Sequence, residues 1–160
     1  MSAVLSACGT YRYRLERPAA ADRATAPPVA FVMLNPSTAG AERDDPTIRR
    51  VRILARGFGY GPLVVANLYA LRATDPKALA VHPDPVGPEN AAHLAAIAAR
   101  AGDVVCAWGV HADPARAAEV VALLTRAGGR LWHLGLTKSG APRHPLFVPR
   151  DVRLAALPPG

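Results

Sequence analysis

Four short apolar runs, separated by three stretches with helical spacing, leave this chain few folds to choose from. The runs are residues 31–34, 63–68, 103–108 and 130–134. Each has the length of a buried strand and falls short of a helix. Between them, residues 46–56 place Ile48, Val51, Ile53 and Leu54 on one side. Residues 89–101 do the same with Leu94, Ile97 and Ala98, and residues 114–127 with Val120, Val121 and Leu124. Helix starts are marked by Asp45-Pro46 and Asp113-Pro114, an acidic cap followed by proline at the first helical position. Gly57-Phe-Gly-Tyr-Gly-Pro62 and Gly128-Gly129 mark helix ends. Strand alternating with helix implies a parallel sheet wrapped in helices. The expectation is α/β: one domain over 1–160, a three-layer α/β/α sandwich with a mainly parallel central sheet. Residues 11–17 alternate Tyr-Arg-Tyr-Arg-Leu-Glu-Arg. That period of two predicts an edge strand with exposed arginines.

The first apolar run passes directly into Asn35-Pro36-Ser37-Thr38, all turn formers. In open α/β sheets ligands bind at the carboxyl edge, which is where such a turn sits. Asn67 ends the second run, and His144 follows the last. Parallel strands bring such ends to one rim. An asparagine offers a donor and an acceptor on one plane, which suits a nucleobase edge. A histidine can donate to an oxygen as that oxygen gains charge. Each also has a structural reading: Asn35 as a turn residue before proline, Asn67 as a turn cap, His144 as a surface loop residue. Arg49, Arg50 and Arg72 are candidate phosphate clamps, with a solvated helix face as the alternative for the first two. Asp44 and Asp45 invite a metal reading, although capping accounts for Asp45. The glycine cluster at 57–62 follows a helix and precedes a strand, the reverse of a phosphate-cradling loop.

Composition bounds the rest. Apolar residues make up 51% of the chain, enough for a packed core. The formal net charge is +7, and lysine occurs only at Lys77 and Lys138. The arginine excess fits either a basic surface for phosphate backbones or a compositional bias. Cys8 and Cys106 are too few and too distant for a metal cluster, and a reduced, buried Cys106 suits the cytoplasm. No apolar run reaches membrane-spanning length, and the first residues lack the layout of a signal peptide.

Several segments together resemble the bacterial family known as domain of unknown function 1643. They are Tyr11-Arg-Tyr, Met33-Leu-Asn-Pro-Ser-Thr-Ala39, Asp44-Asp-Pro-Thr-Ile48, Asn67-Leu-Tyr-Ala-Leu-Arg-Ala-Thr-Asp-Pro76, Val86-Gly-Pro-Glu-Asn90, Ala107-Trp-Gly109 and Pro142-Arg-His-Pro-Leu146. Their order and spacing are also similar to the uracil-DNA glycosylase superfamily. Met33-Leu-Asn-Pro-Ser37 stands where the mismatch-specific branch has Gly-Ile-Asn-Pro-Gly, and His144-Pro145-Leu146 where most members have His-Pro-Ser. That resemblance implies the fold, and roles for residues. Asn35 would position the attacking water, Asn67 would read the base, and His144 would bind the base oxygen. Ser37, Thr38, Arg72, Tyr69 and Trp108 would surround the substrate, with Phe31, Tyr69 and Trp108 as candidates to stack on the base. Arg49, Lys138, Arg143, Leu146 and Phe147 would contact DNA, the last two as an apolar wedge during base flipping. The cysteines of the thermostable branch's iron–sulfur cluster have no counterparts, so no cofactor is expected. Ser37 and Leu146 depart from the superfamily motifs, and fold transfers more safely than activity. Three functions follow: an N-glycosylase-like enzyme; a non-catalytic nucleotide or nucleic-acid binding module; or a metal-dependent hydrolase using Asp44, Asp45 and His144.

Overall fold

The computed structural model describes residues 1–158, and the four apolar runs form the middle of its sheet. The strands are β1 (Ser2–Leu5), β2 (Arg12–Arg17), β3 (Val29–Met33), β4 (Leu63–Asn67), β5 (Asp103–Cys106), β6 (Arg130–His133) and β7 (Ala155–Ala156). The helices are α1 (Pro46–Gly57), the single turn α2 (Ala78–Val81), α3 (Asn90–Ala101) and α4 (Pro114–Arg126). Short 3-10 turns occupy Ala21–Arg23 and Pro145–Phe147. No described helix is long and apolar enough to cross a membrane.

All seven strands share one sheet, in the order β1-β2-β4-β3-β5-β6-β7. β4, β3, β5 and β6 run parallel; β1 with β2, β2 with β4, and β6 with β7 are antiparallel. The sheet is therefore mixed, which corrects the expectation of a mainly parallel one. The reason lies at the two ends of the chain. A parallel pairing needs a crossover, usually a helix. β1 and β2 precede the first long helix and β7 follows the last; β2 and β7 flank the parallel strands in the opposite sense, while β1, antiparallel to β2, runs with them.

β2 is not an edge strand either. It lies between β1 and β4, and Arg12 and Arg17 are buried rather than exposed. The strict alternation also fails within it. β1 pairs Val4 with Arg14 but Leu5 with Arg12, so one extra residue is accommodated on β2. This β-bulge carries a consequence: Arg12 joins the side of the sheet that holds Leu15 and Arg17, facing the segment 39–44. Tyr13 turns to the other side and stacks on His93 of α3 at 5.0 Å. Bulges re-aim side chains in this way next to functional sites.

Side chains of the central strands alternate between two cores. Phe31, Met33, Val65 and Val105 pack with Ile48, Val51 and Leu54 of α1. Val32, Ala66, Val104 and Cys106 pack with Leu94 and Ile97 of α3 and Val120 and Leu124 of α4. Helices thus cover both faces, and each fully buried aliphatic side chain contributes about 1.5–3 kcal/mol. The caps act as the sequence implies. Asp45 accepts from the Ile48 N–H at 2.9 Å, and Asp113 from the Ala115 N–H at 3.0 Å. Cys106 is fully buried, and burial pushes its thiol up to about 12, so it is an inert core residue.

Candidate functional site

Three parallel strands, β3, β4 and β5, end side by side. The turn after β3, the stretch Ala107–Gly109 after β5, and the hairpin that bridges Leu136 to Pro142 rise around those ends. They enclose a cleft of about 360 Å³, within the size range of small-ligand sites. Asn35, Ser37, Asn67, Trp108, Arg143, His144, Leu146 and Phe147 all line it. Residues separated by more than a hundred positions in sequence therefore meet at the carboxyl edge of the sheet.

Asn67 is the last residue of β4, beside Met33 of β3, and only 1% exposed. Neither its Oδ1 nor its Nδ2 has a hydrogen-bond partner. Burying a polar atom unpaired costs about 1–3 kcal/mol, so two on one amide is an expensive arrangement for a structural residue. Its backbone, by contrast, is well held. Asn90, buried at the start of α3, donates from Nδ2 to the carbonyls of Asn67 (3.0 Å) and Leu68 (3.2 Å). The backbone is tied down by Asn90, and the side chain forms part of the cleft wall.

Asn35 is bonded on one side only. Its Nδ2 donates to the carbonyls of Ala73 (2.8 Å), Pro36 (3.2 Å) and Leu71 (3.4 Å). Three carbonyls demand a donor, which fixes the amide orientation. The amide nitrogen ties the turn after β3 to the segment after β4, and Oδ1 remains as an acceptor. His144 is oriented by its own turn: its Nδ1 accepts from the Leu146 N–H at 3.2 Å. A neutral imidazole with Nδ1 as acceptor carries its proton on Nε2. Burial lowers the His144 pKa, against a smaller upward pull from Asp45, so the ring is neutral at pH 7. Phe147 lies against it at a ring separation of 5.7 Å.

Other expected residues fall elsewhere. Phe31 is sealed in the core beneath α1. Tyr69 is buried on the α3/α4 side, and its hydroxyl accepts from the Asp113 N–H at 3.4 Å. Of the three stacking candidates only Trp108, 3% exposed, borders the cleft. Thr38, Arg72, Arg49 and Lys138 are exposed and outside its lining. Arg49 spends its guanidinium on the Asp44 carbonyl at 3.0 Å. Arg50 donates to the carbonyls of Val148 (3.2 Å) and Pro149 (3.3 Å), tying α1 to the segment after His144.

The donor set for a metal is poor. Arg17 and Arg52 each bond the Asp44 carboxylate at 2.8 Å, and Asp45 accepts from the N–H groups of Ile48 (2.9 Å) and Ala39 (3.3 Å). Among the described residues no three His, Cys, Asp or Glu side chains converge as metal ligands.

The cleft also has members that the sequence reading did not assign to the site, Arg12, Thr47, Gly109 and His111, and it includes Asp45, which that reading took as a cap or a metal ligand. Arg12 is the most consequential, a guanidinium 2% exposed. Its signal was present in the run Tyr11-Arg-Tyr-Arg, but regular alternation put Arg12 beside Arg14 on an exposed face.

No curated protein and no solved structure matches the chain. A family model, described as Protein of unknown function (DUF1643), matches residues 12–146. That span begins at Arg12 and runs past His144, so it takes in both ends of the cleft. The chain belongs to the DUF1643 family.

Proposed function

We propose that the cleft binds a nucleobase and that the protein hydrolyses the N-glycosidic bond attached to it. The observation that carries this reading is the Asn67 amide: one donor and one acceptor, coplanar, buried and unpaired at the cleft wall. A base edge presents the complementary pair on a plane, and Trp108 in the same cleft offers a stacking surface. The likeness of motif order to the uracil-DNA glycosylase superfamily supports the same assignment of Asn35, Asn67 and His144.

The chemistry follows from the free atoms. Asn35 Oδ1 accepts a hydrogen bond from water and orients it toward the sugar carbon. The water oxygen bonds to that carbon as the carbon–nitrogen bond breaks, and the bonding pair leaves with the base. His144 Nε2–H stabilises the negative charge gathering on the base oxygen. The released water proton is balanced by protonation of the departing base. A neutral histidine donor suits this role because it needs no proton from solvent. Leu146 and Phe147, 46% and 75% exposed at the rim, offer an apolar surface where a base leaves its stack.

The test is release of base from oligonucleotides and nucleotides carrying uracil, hypoxanthine or alkylated bases, followed by chromatography. Excision by the full chain, abolished in Asn35→Ala and reduced in His144→Ala, supports the proposal. The absence of release from every substrate in the set would sink the catalytic part.

One observation favours a second reading, a binding module without chemistry. The Asn35 nitrogen is committed to three carbonyls, as in a residue kept for its turn. Salt-sensitive binding without turnover, unaffected by changes at Asn35 that preserve the fold, would identify that case.

A further inference from the structure

We propose that Arg12 seats a phosphate of the ligand, so that the cleft takes a nucleoside phosphate rather than a bare base or nucleoside. This rests on the nucleobase reading above. Two buried arginines on one face of β2 provide an internal comparison. Arg17, 2% exposed, is fully provided for. Its Nε bonds the Asp44 carboxylate at 2.8 Å, and its terminal nitrogens donate to the carbonyls of Gly40 (2.7 Å), Ala41 (2.9 Å) and Glu16 (3.0 Å). Arg12 is equally buried but makes one bond, from Nη1 to the Ala39 carbonyl at 2.7 Å. Its Nε is buried without a partner, and it joins no ion pair among the described residues.

The difference is position. Arg17 points into protein, whereas the bulge in β2 turns Arg12 into the cleft wall. Burial lowers its pKa to about 10, which still leaves it cationic at neutral pH. A buried charge with no ion-pair partner is costly for a fold to hold. An anion supplied by a ligand removes that cost and takes the vacant donors; phosphate oxygens suit the planar fork of arginine. The charges around it are mixed. Asp45 is the carboxylate nearest in effect and offsets part of the Arg12 charge, but it forms no ion pair with Arg12, and its oxygens accept from the N–H groups of Ile48 and Ala39. Arg17 and Arg72 add positive potential, and Ser37 and Thr47 bring hydroxyl donors to the same cleft.

The phosphate has two sources, a free mononucleotide or a nucleic-acid strand, and the test separates them. Calorimetric titration of the full chain compares the four common nucleosides with their 5′-monophosphates, and then with single-stranded 5-mers. A monophosphate binding about tenfold tighter than its nucleoside, or more, is expected from one charge-assisted contact. Inorganic phosphate should compete with the monophosphate and not with the nucleoside. Arg12→Met should narrow the gap between the two, and Arg12→Lys should partly restore it. Thermal melts report whether the variants fold, and the wild-type comparison stands without them. If 5-mers compete best and the gap still narrows in Arg12→Met, the phosphate belongs to a strand. Equal binding of nucleoside and monophosphate overturns the proposal while leaving the nucleobase reading intact. Binding of none of the nucleosides, monophosphates or 5-mers overturns both.

Discussion

Replacing Asn67 by leucine should make the protein more stable and less able to bind its ligand. In the structure Asn67 is 1% exposed and both of its amide atoms are unpaired. Each unsatisfied buried atom costs about 1–3 kcal/mol, so the side chain costs about 2–6 kcal/mol before solvent entering the cleft relieves part of it. Leucine is close in shape and would meet Met33 and Ile48, both apolar and both lining the cleft. Its extra bulk takes back about 1 kcal/mol. The expected net gain is about 1–3 kcal/mol, which for a chain of this size corresponds to a melting temperature higher by roughly 3–8 °C. The same change deletes the donor and acceptor that face the ligand. Affinity for a nucleobase-bearing ligand should fall about 100-fold, from two hydrogen bonds at ~1.4 kcal/mol each. Differential scanning calorimetry and titration on the same preparation give both numbers. A melting temperature several degrees lower than wild type would refute the reasoning. It would mean that Asn67 is a satisfied structural residue.

Three further outcomes follow from the same geometry. Asp45→Ala removes the acceptor of the Ile48 and Ala39 N–H groups, and denaturant unfolding should register a loss of about 1–2 kcal/mol; an unchanged midpoint would contradict the cap. Burial holds the His144 pKa below its ordinary value, so the unfolded chain takes up the proton first as pH falls. The stability due to neutral His144 is complete above the ordinary histidine value, 6.5, and is lost as pH drops from there through the lowered one. Melting curves of His144→Gln should lack that part of the pH dependence, and identical profiles would count against it. Gly109 has φ of +79°, and a Cβ there would sit 3.5 Å from the His144 Cβ, an ordinary contact. Gly109→Ala should therefore cost about 1–2 kcal/mol through backbone strain alone, read as a lower melting temperature with His144 still in place.

The sequence carried the middle of the fold well and its margins poorly. β3, β4, β5 and β6 are short apolar runs buried on both faces, and their composition announces them. β1 and β7 are four and two residues long and mostly exposed, and their apolar residues (Ala3, Val4 and Leu5; Ala155 and Ala156) are too few to stand out as strands. Their omission turned β2 into an apparent edge strand and the sheet into an apparently parallel one. The same holds for the cleft. Asn35 and Asn67 were legible because they stand at the ends of β3 and β4, which converge in a parallel core; His144 reaches the same rim from the 3-10 turn that follows the hairpin after β6. Arg12 was not legible, since a bulge breaks the period of two, and pairing with β1 rather than local composition sets where it falls. Tyr69 and Arg72 follow Asn67 directly, yet the chain bends after β4: Arg12 N–H bonds the Ala70 carbonyl and Arg72 N–H the Thr10 carbonyl. Tyr69 and Arg72 themselves stay outside the cleft lining, although Ala73, Thr74 and Pro76 just beyond them border it, which proximity in sequence does not reveal.

In the proposed complex two amides and an imidazole surround a nucleobase. A crystal structure of the full chain with a nucleoside 5′-monophosphate tests it most directly. The base edge should lie within hydrogen-bond distance of both Asn67 Oδ1 and Nδ2, with His144 Nε2 at a base oxygen. A well-ordered nucleotide bound elsewhere, with the Asn67 amide still unpaired, would contradict it.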